Sequence, residues 1–179
     1  MTAREALENP PIPEGAAHNE RGLDSADVVE RLKLIPAGCN FEAIPEGHPL
    51  SVKGLISHVY RRLDPNAPSY TMIANGGGGT HGYHYSEPRR LTNRERARLQ
   101  TFPDDFVFAD GGPGRSAYPR VRKQIGNAVP PRAALAITSA LVQAFDFAGL
   151  AGRPARELNA ARAVVARPAT LALRSVEAA

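Results

Sequence analysis

Tryptophan is absent from this 179-residue chain, and cysteine occurs once, as Cys39. A single cysteine excludes an internal disulfide and suits a reducing compartment. Aromatic residues are only 6% of the total, so the core must be mostly aliphatic. No apolar run approaches the ~20 residues needed to cross a bilayer. The N-terminus lacks a basic start followed by an apolar segment, which argues against a secretory leader. A cytoplasmic protein is expected, and no repeat period is visible. Metal-ligand spacing is missing too. His81 and His84 lie i, i+3 beside Tyr83 and Tyr85 without a third ligand or an element to orient them, so they read as loop residues and no metal is assigned. Cys39 follows Ala37-Gly38 with no base placed near it by spacing, and reads as structural or incidental.

The hydrophobic content of 42% suits a folded protein, and the length allows one domain-sized core rather than two. Sixteen glycines and sixteen prolines indicate many turns. A net charge of +4 permits a polyanionic partner without demanding one. The charge is uneven, with acids gathered before Glu30 and arginine dominant from Arg89 onward.

From Met1 to about Asp27 the chain is polar, acidic and proline-containing, and an extended arm is expected. Val28–Leu34 has helical spacing that Pro36 ends. Strands are expected near Ser57–Tyr60 and over Ser69–Ala74, where β-branched Thr71 and Ile73 alternate with other residues. Four glycines follow, Gly76 to Gly79. Gly77-x-Gly79-x-x-Gly82 formally matches a dinucleotide fingerprint, but no helix-forming segment opens after it, so that reading is rejected. The glycine run is either a flexible loop or a loop whose bare backbone can press against a ligand.

Two later blocks carry most of the information. The first runs Arg89-Arg90-Leu91-Thr92-Asn93-Arg94-Glu95-Arg96-Ala97-Arg98-Leu99-Gln100-Thr101-Phe102-Pro103-Asp104. Thr92 and Glu95 have capping-box spacing, and Pro103 denies Phe102 a helical continuation. The block is a short helix with a solvated basic face, or a functional one. The second block is Lys123-Gln124-Ile125-Gly126-Asn127-Ala128-Val129-Pro130-Pro131. It reads as a turn that launches a helix from Pro131, with Ala134, Ile137, Leu141 and Phe145 on one apolar face. Arg115, Arg120, Arg122 and Lys123 precede it, as a solvated face or as phosphate contacts. An Ala- and Arg-rich stretch, 149–179, closes the sequence.

In residue order the two blocks resemble the last two motifs of the DNA cytosine-5 methyltransferases. The family pattern is Arg-x-Leu-Thr-x-Arg-Glu-x-Ala-Arg-Leu-Gln-x-Phe-Pro-Asp, then Gln-Ile-Gly-Asn-Ala-Val-Pro-Pro. The resemblance covers about Tyr60 to Phe147. It implies that Asn127 and Ala128 border the methyl donor, S-adenosylmethionine. It also implies that Arg62, Thr71, Gly76, Gly77, Gly78 and Gly79 belong to a target-recognition region that contacts double-stranded DNA. The family's Gly-rich cofactor turn, Pro-Cys nucleophile and Glu-Asn-Val segment do not occur in this sequence. No catalytic residue is therefore assigned, Cys39 included.

The resemblance thus predicts the C-terminal part of a methyltransferase of the restriction-modification kind, catalytically incomplete alone and needing an N-terminal subunit or domain. A non-enzymatic DNA-binding remnant of a truncated gene is the alternative. The expected fold is α+β, a small irregular recognition unit with short strands followed by a long C-terminal helix, without the family's doubly wound catalytic sheet. The expected parts are an arm over 1–56, the recognition region with its Arg-rich helix over 57–125, a closing turn and helix over 126–148, and the tail.

Overall fold

The computed structural model describes residues 1–53, 56–74, 81–109 and 117–145. The chain divides into two units, Met1–Ala134 and Leu135–Ala179. The elements in order are helices α1 (Ala3–Glu8) and α2 (Ala26–Leu34), a 3₁₀ turn at Phe41–Ala43, strands β1 (Arg61–Arg62) and β2 (His81–Tyr83), then helices α3 (Asn93–Leu99), α4 (Ala117–Asn127) and α5 (Pro131–Phe145). The expected glycine loop Gly76–Gly79, Arg115 and the 149–179 tail lie outside the described residues. No helix among the described residues is long and apolar enough to cross a membrane.

The N-terminus is not the extended arm its composition predicts. Thr2 and Glu5 cap each other's free amides in a capping box and start α1. The next free amides, Ala3 and Arg4, donate to the carbonyls of Ala67 and Pro65. Ala3 and Leu7 then enter a core cluster with Leu63, Met72, Tyr85 and Leu91. The prolines begin only after the helix has ended.

The strands also sit elsewhere. Ser57–Tyr60 forms turns, and Ser69–Ile73 is irregular although its side chains alternate, with Met72 buried and Thr71 exposed. The sheet among the described residues is one short parallel pair, Arg61 opposite His81 and Arg62 opposite Tyr83. Alternation marks a half-buried extended chain, and only a partner makes it a strand.

Helix α3 is the centre. Its capping box is the one the sequence predicts, with Thr92 Oγ1 accepting from Glu95 N and the Glu95 carboxylate accepting from Thr92 N. Its C-terminus is a Schellman motif, in which Phe102 N donates to Ala97 O and Thr101 N to Arg98 O. The left-handed residue of that motif, commonly glycine, is here Thr101 at φ +65°. The helix packs against α1 on one side and α4 on the other. On the α4 side Ala97, Phe108, Val121 and Ile125 form a second core cluster, against which Phe102 packs.

The basic face of α3 is not solvated. Arg94 is completely buried, and Arg96 and Arg98 are nearly so. Arg94 donates to the carbonyls of Ala17, Pro103 and Phe106 at 2.9, 3.0 and 2.7 Å. Arg98 forms a bidentate pair with Asp104 and also donates to the carbonyls of Ala6, Pro10 and Pro11. These five-donor forks satisfy loop carbonyls that have no sheet or helix partner. A hydrophobic replacement leaves such carbonyls buried and unpaired, at about 1–3 kcal/mol each. Arg94→Met should therefore destabilise the fold by about 3 kcal/mol or more. Arg120→Met, on the exposed side of α4, should stay within about 0.5 kcal/mol. Urea unfolding followed by circular dichroism measures both, and equal losses would rule out the anchoring role.

Candidate functional site

The site residues expected from sequence fall into two groups in the structure. Arg62 stands apart from the others. Its side chain is buried and its guanidinium donates to five carbonyls, those of Leu32, Ile35, His84, Tyr85 and Glu87. Sequence reasoning placed it toward DNA; here it spends its donors on tying the end of α2 to the turn after β2. A basic residue beside a turn looks the same in sequence whether it faces out or in.

Thr71, Asn127 and Ala128 do come near one another. Thr71 is exposed on the irregular segment that leads toward the glycine run. Gly126, in the last turn of α4, lies against the backbone of Ile73 and Ala74. A Cβ built on Gly126 would overlap the Ala74 nitrogen and Cα, so this crossing admits no side chain. Asn127 follows at the end of α4 and is exposed, and Ala128 is half-buried. The turn that carries them is therefore set beside the segment that carries Thr71.

Residues that sequence reasoning missed hold this turn. Tyr118 of α4 donates its hydroxyl to Leu91 O at 2.6 Å, and Asn93 Nδ2 donates to Tyr118 O at 3.0 Å. Gln100 Nε2 donates to Ile125 O at 3.1 Å, and Ala128 N to the same carbonyl at 3.3 Å. Thr101 Oγ1 accepts from Arg132 N at 3.1 Å. None of these had a signal in residue spacing, because each joins positions 20 or more apart.

Gly82 is a second tight crossing. Its φ is +82°, and a Cβ there would meet the Arg96 guanidinium at 2.5–2.8 Å. Arg96 Nη2 in turn donates to Gly82 O at 3.3 Å. The final glycine of the rejected fingerprint is thus a turn residue packed on α3.

Between α1, the turn after β2 and the start of α3 lies a polar cavity of about 320 Å³, lined by residues including Glu8, Arg21, His84, Glu87, Arg89 and Glu95. Its charges are paired. Arg89 bridges Glu95 at 2.7 Å and Glu87 at 3.0 Å. Burial opposes the Arg89 charge, but the hydrogen bonds to Glu95 and Glu87 outweigh it and raise its pKa. Burial lowers the pKa of His84, against the pull of Glu95 at 4.0 Å. His84 Nδ1 accepts from the amides of Ser86 and Glu87, at 3.2 Å each, as a neutral ring does. Among the described residues no three His, Cys, Asp or Glu side chains are grouped to hold a metal ion.

Comparison with known proteins decides the family. The profile of the C-5 cytosine-specific DNA methylases matches residues 36–143, more than half of the chain. The chain belongs to this family. It is 52% identical over 146 residues to the type II methyltransferase M.NgoFVII of Neisseria gonorrhoeae, a match covering 82% of this chain and 37% of that protein. With M.BbvI of Brevibacillus brevis it shares 52% identity over 147 residues, 80% of this chain and 37% of that protein. M.AquIB of Picosynechococcus is 45% identical over 89 residues, 46% of this chain but 61% of that relative. The chain thus spans little more than a third of the first two relatives, whereas M.AquIB is itself a short chain. The family match runs through β1, β2 and helices α3 and α4, and so includes both blocks.

Two measurements test the geometry. In an exposed helix, glycine to alanine gains up to about 1 kcal/mol. Gly126→Ala should instead lose about 2 kcal/mol or more, since backbone atoms must move; a stabilised variant would disprove the close crossing. His84 binds its proton less readily in the folded chain than in the unfolded one. Below about pH 6.5 the unfolded chain gains a proton that the folded chain resists, so this contribution is intact above that pH and lost as pH falls. Stability measured from pH 7 to pH 5 should therefore decline, and His84→Gln should flatten the slope.

Proposed function

We propose that this chain is the C-terminal part of a DNA cytosine-5 methyltransferase, supplying target recognition and one wall of the S-adenosylmethionine site to a catalytic region it does not contain. The observation that carries the reading is the family match combined with the reach of only 37% into the relatives. The methyl donor supplies the group transferred to cytosine. The rest of the reaction needs a thiolate nucleophile and a group to handle the base. Cys39 is exposed on a turn and brings no catalytic partner with it.

Asn127 fits a place beside the cofactor. An exposed carboxamide offers both a donor and acceptors, and it stands on a turn fixed from both sides. One turn makes one wall, whereas an adenosyl ligand needs an enclosing pocket, so the other walls belong to the missing region. Recognition falls to the segment of Thr71 and to the glycines Gly76–Gly79 that follow it. Bare backbone can approach phosphates and base edges closely. Arg62 serves this region from within, by holding the carbonyls behind it.

The apolar residues of α5 support a partner. Leu135, Ile137, Leu141 and Phe145 are between 53% and 67% exposed. A row of such side chains at helical spacing is a docking stripe for another apolar surface. The proposed division of labour is recognition over 57–125 and docking over 126–148, and the setting is the cytoplasm, where double-stranded DNA is the substrate.

The test is complementation. The chain should transfer no methyl group to duplex DNA alone, and should do so when co-expressed with the nucleophile-bearing region of a relative such as M.NgoFVII. Continued silence of the pair would favour the non-enzymatic DNA-binding remnant. In the active pair Asn127→Ala should weaken S-adenosylmethionine binding about tenfold by calorimetry, near 1.4 kcal/mol, the size of one lost hydrogen bond. Unchanged affinity would remove Asn127 from the cofactor wall.

A further inference from the structure

Two adjacent residues at the end of α3 reach the closing turn on either side of Asn127. Gln100 holds Ile125 O, two residues before it, and Thr101 holds Arg132 N, five residues after it. Ala128 N shares the carbonyl that Gln100 holds. Gly126 closes the third side against Ile73 and Ala74.

Thr101 is the telling member. A β-branched residue at φ +65° is sterically strained, and glycine commonly fills this position of a Schellman motif. Glycine has no hydroxyl. The Thr101 hydroxyl caps a free amide in the first turn of α5, where Pro130 and Pro131 leave no local capping side chain. The strain is thus kept in exchange for a contact that glycine cannot make.

We propose that Gln100 and Thr101 are positioning residues that clamp the Asn127–Ala128 turn between α4 and α5, with the Thr101 hydroxyl fixing its far end. The role as a clamp for a cofactor wall rests on the function proposed above; the clamp itself does not. Amide hydrogen exchange by NMR on the full chain tests it without DNA or cofactor. Thr101→Gly relieves the backbone strain and keeps the Schellman motif, so the chain should melt no lower than the wild type. Its Arg132 amide should nevertheless exchange about fivefold faster, as a lost cap requires. Thr101→Ala should show the same local loss at a lower melting temperature, and Thr101→Ser should restore wild-type exchange at Arg132. Gln100→Ala should speed exchange at Ala128. A purely structural role would move local exchange and melting together. Unchanged Arg132 exchange in the glycine variant, or failure of serine to restore it, would overturn the proposal. If the clamp holds but Asn127→Ala leaves cofactor affinity unchanged in the complemented enzyme, the cofactor reading fails and the clamp stands.

Discussion

A peptide carbonyl shut away from water must accept a hydrogen bond, and most domains meet that demand with helices and sheets. Here the sheet is one pair of short strands, and long stretches of chain follow neither pattern. Arginine meets the demand instead. Arg62, Arg94 and Arg98 each reach three or more carbonyls from loops far apart in sequence. The guanidinium suits this work because its donors point several ways in one plane and it stays charged when buried. The remaining buried charges are arranged to make this possible, with Glu95 taking Arg89 and Asp104 taking Arg98. The two core clusters then lie on either side of α3, the helix that carries two of these arginines.

The same helix connects what the family match brings together. Its beginning is held to the N-terminal segment through Thr92 Oγ1 and Asn19, and through Arg94 N and His18 O. Its end holds α4 and the first turn of α5. The chain spans little more than a third of its longer relatives, yet residues 1–134 carry a connected core of their own.

Legibility in the sequence followed the range of the interaction. The Thr92–Glu95 cap, the stop at Pro103 and the start of α5 at Pro131 are local, and each was readable from a few residues. Helix α1 was readable too, since Thr2 and Glu5 have the same spacing, but nearby prolines and acids outweighed that signal. Helix α4 was hidden by Pro119 and Gly126. The proline sits in the first turn, where it costs no hydrogen bond, and the glycine sits in the last, where a close crossing requires it. The alternation of Ser69–Ala74 was real, but the pairing it suggested depends on a neighbour that sequence does not name. The inward direction of Arg62 and Arg94 was out of reach for the same reason, because carbonyls have no letter in the sequence.

That last point bears on how such a region can change. An anchor that grips main-chain oxygen is indifferent to the side chain beyond it. Residues in the loops held by Arg62, Arg94 and Arg98 can be exchanged, provided the backbone path survives, without loss of the attachment. A scaffold of this kind tolerates new sequences on its surface loops while its frame stays the same. It would therefore suit the transplanting of loops between relatives that read different sites.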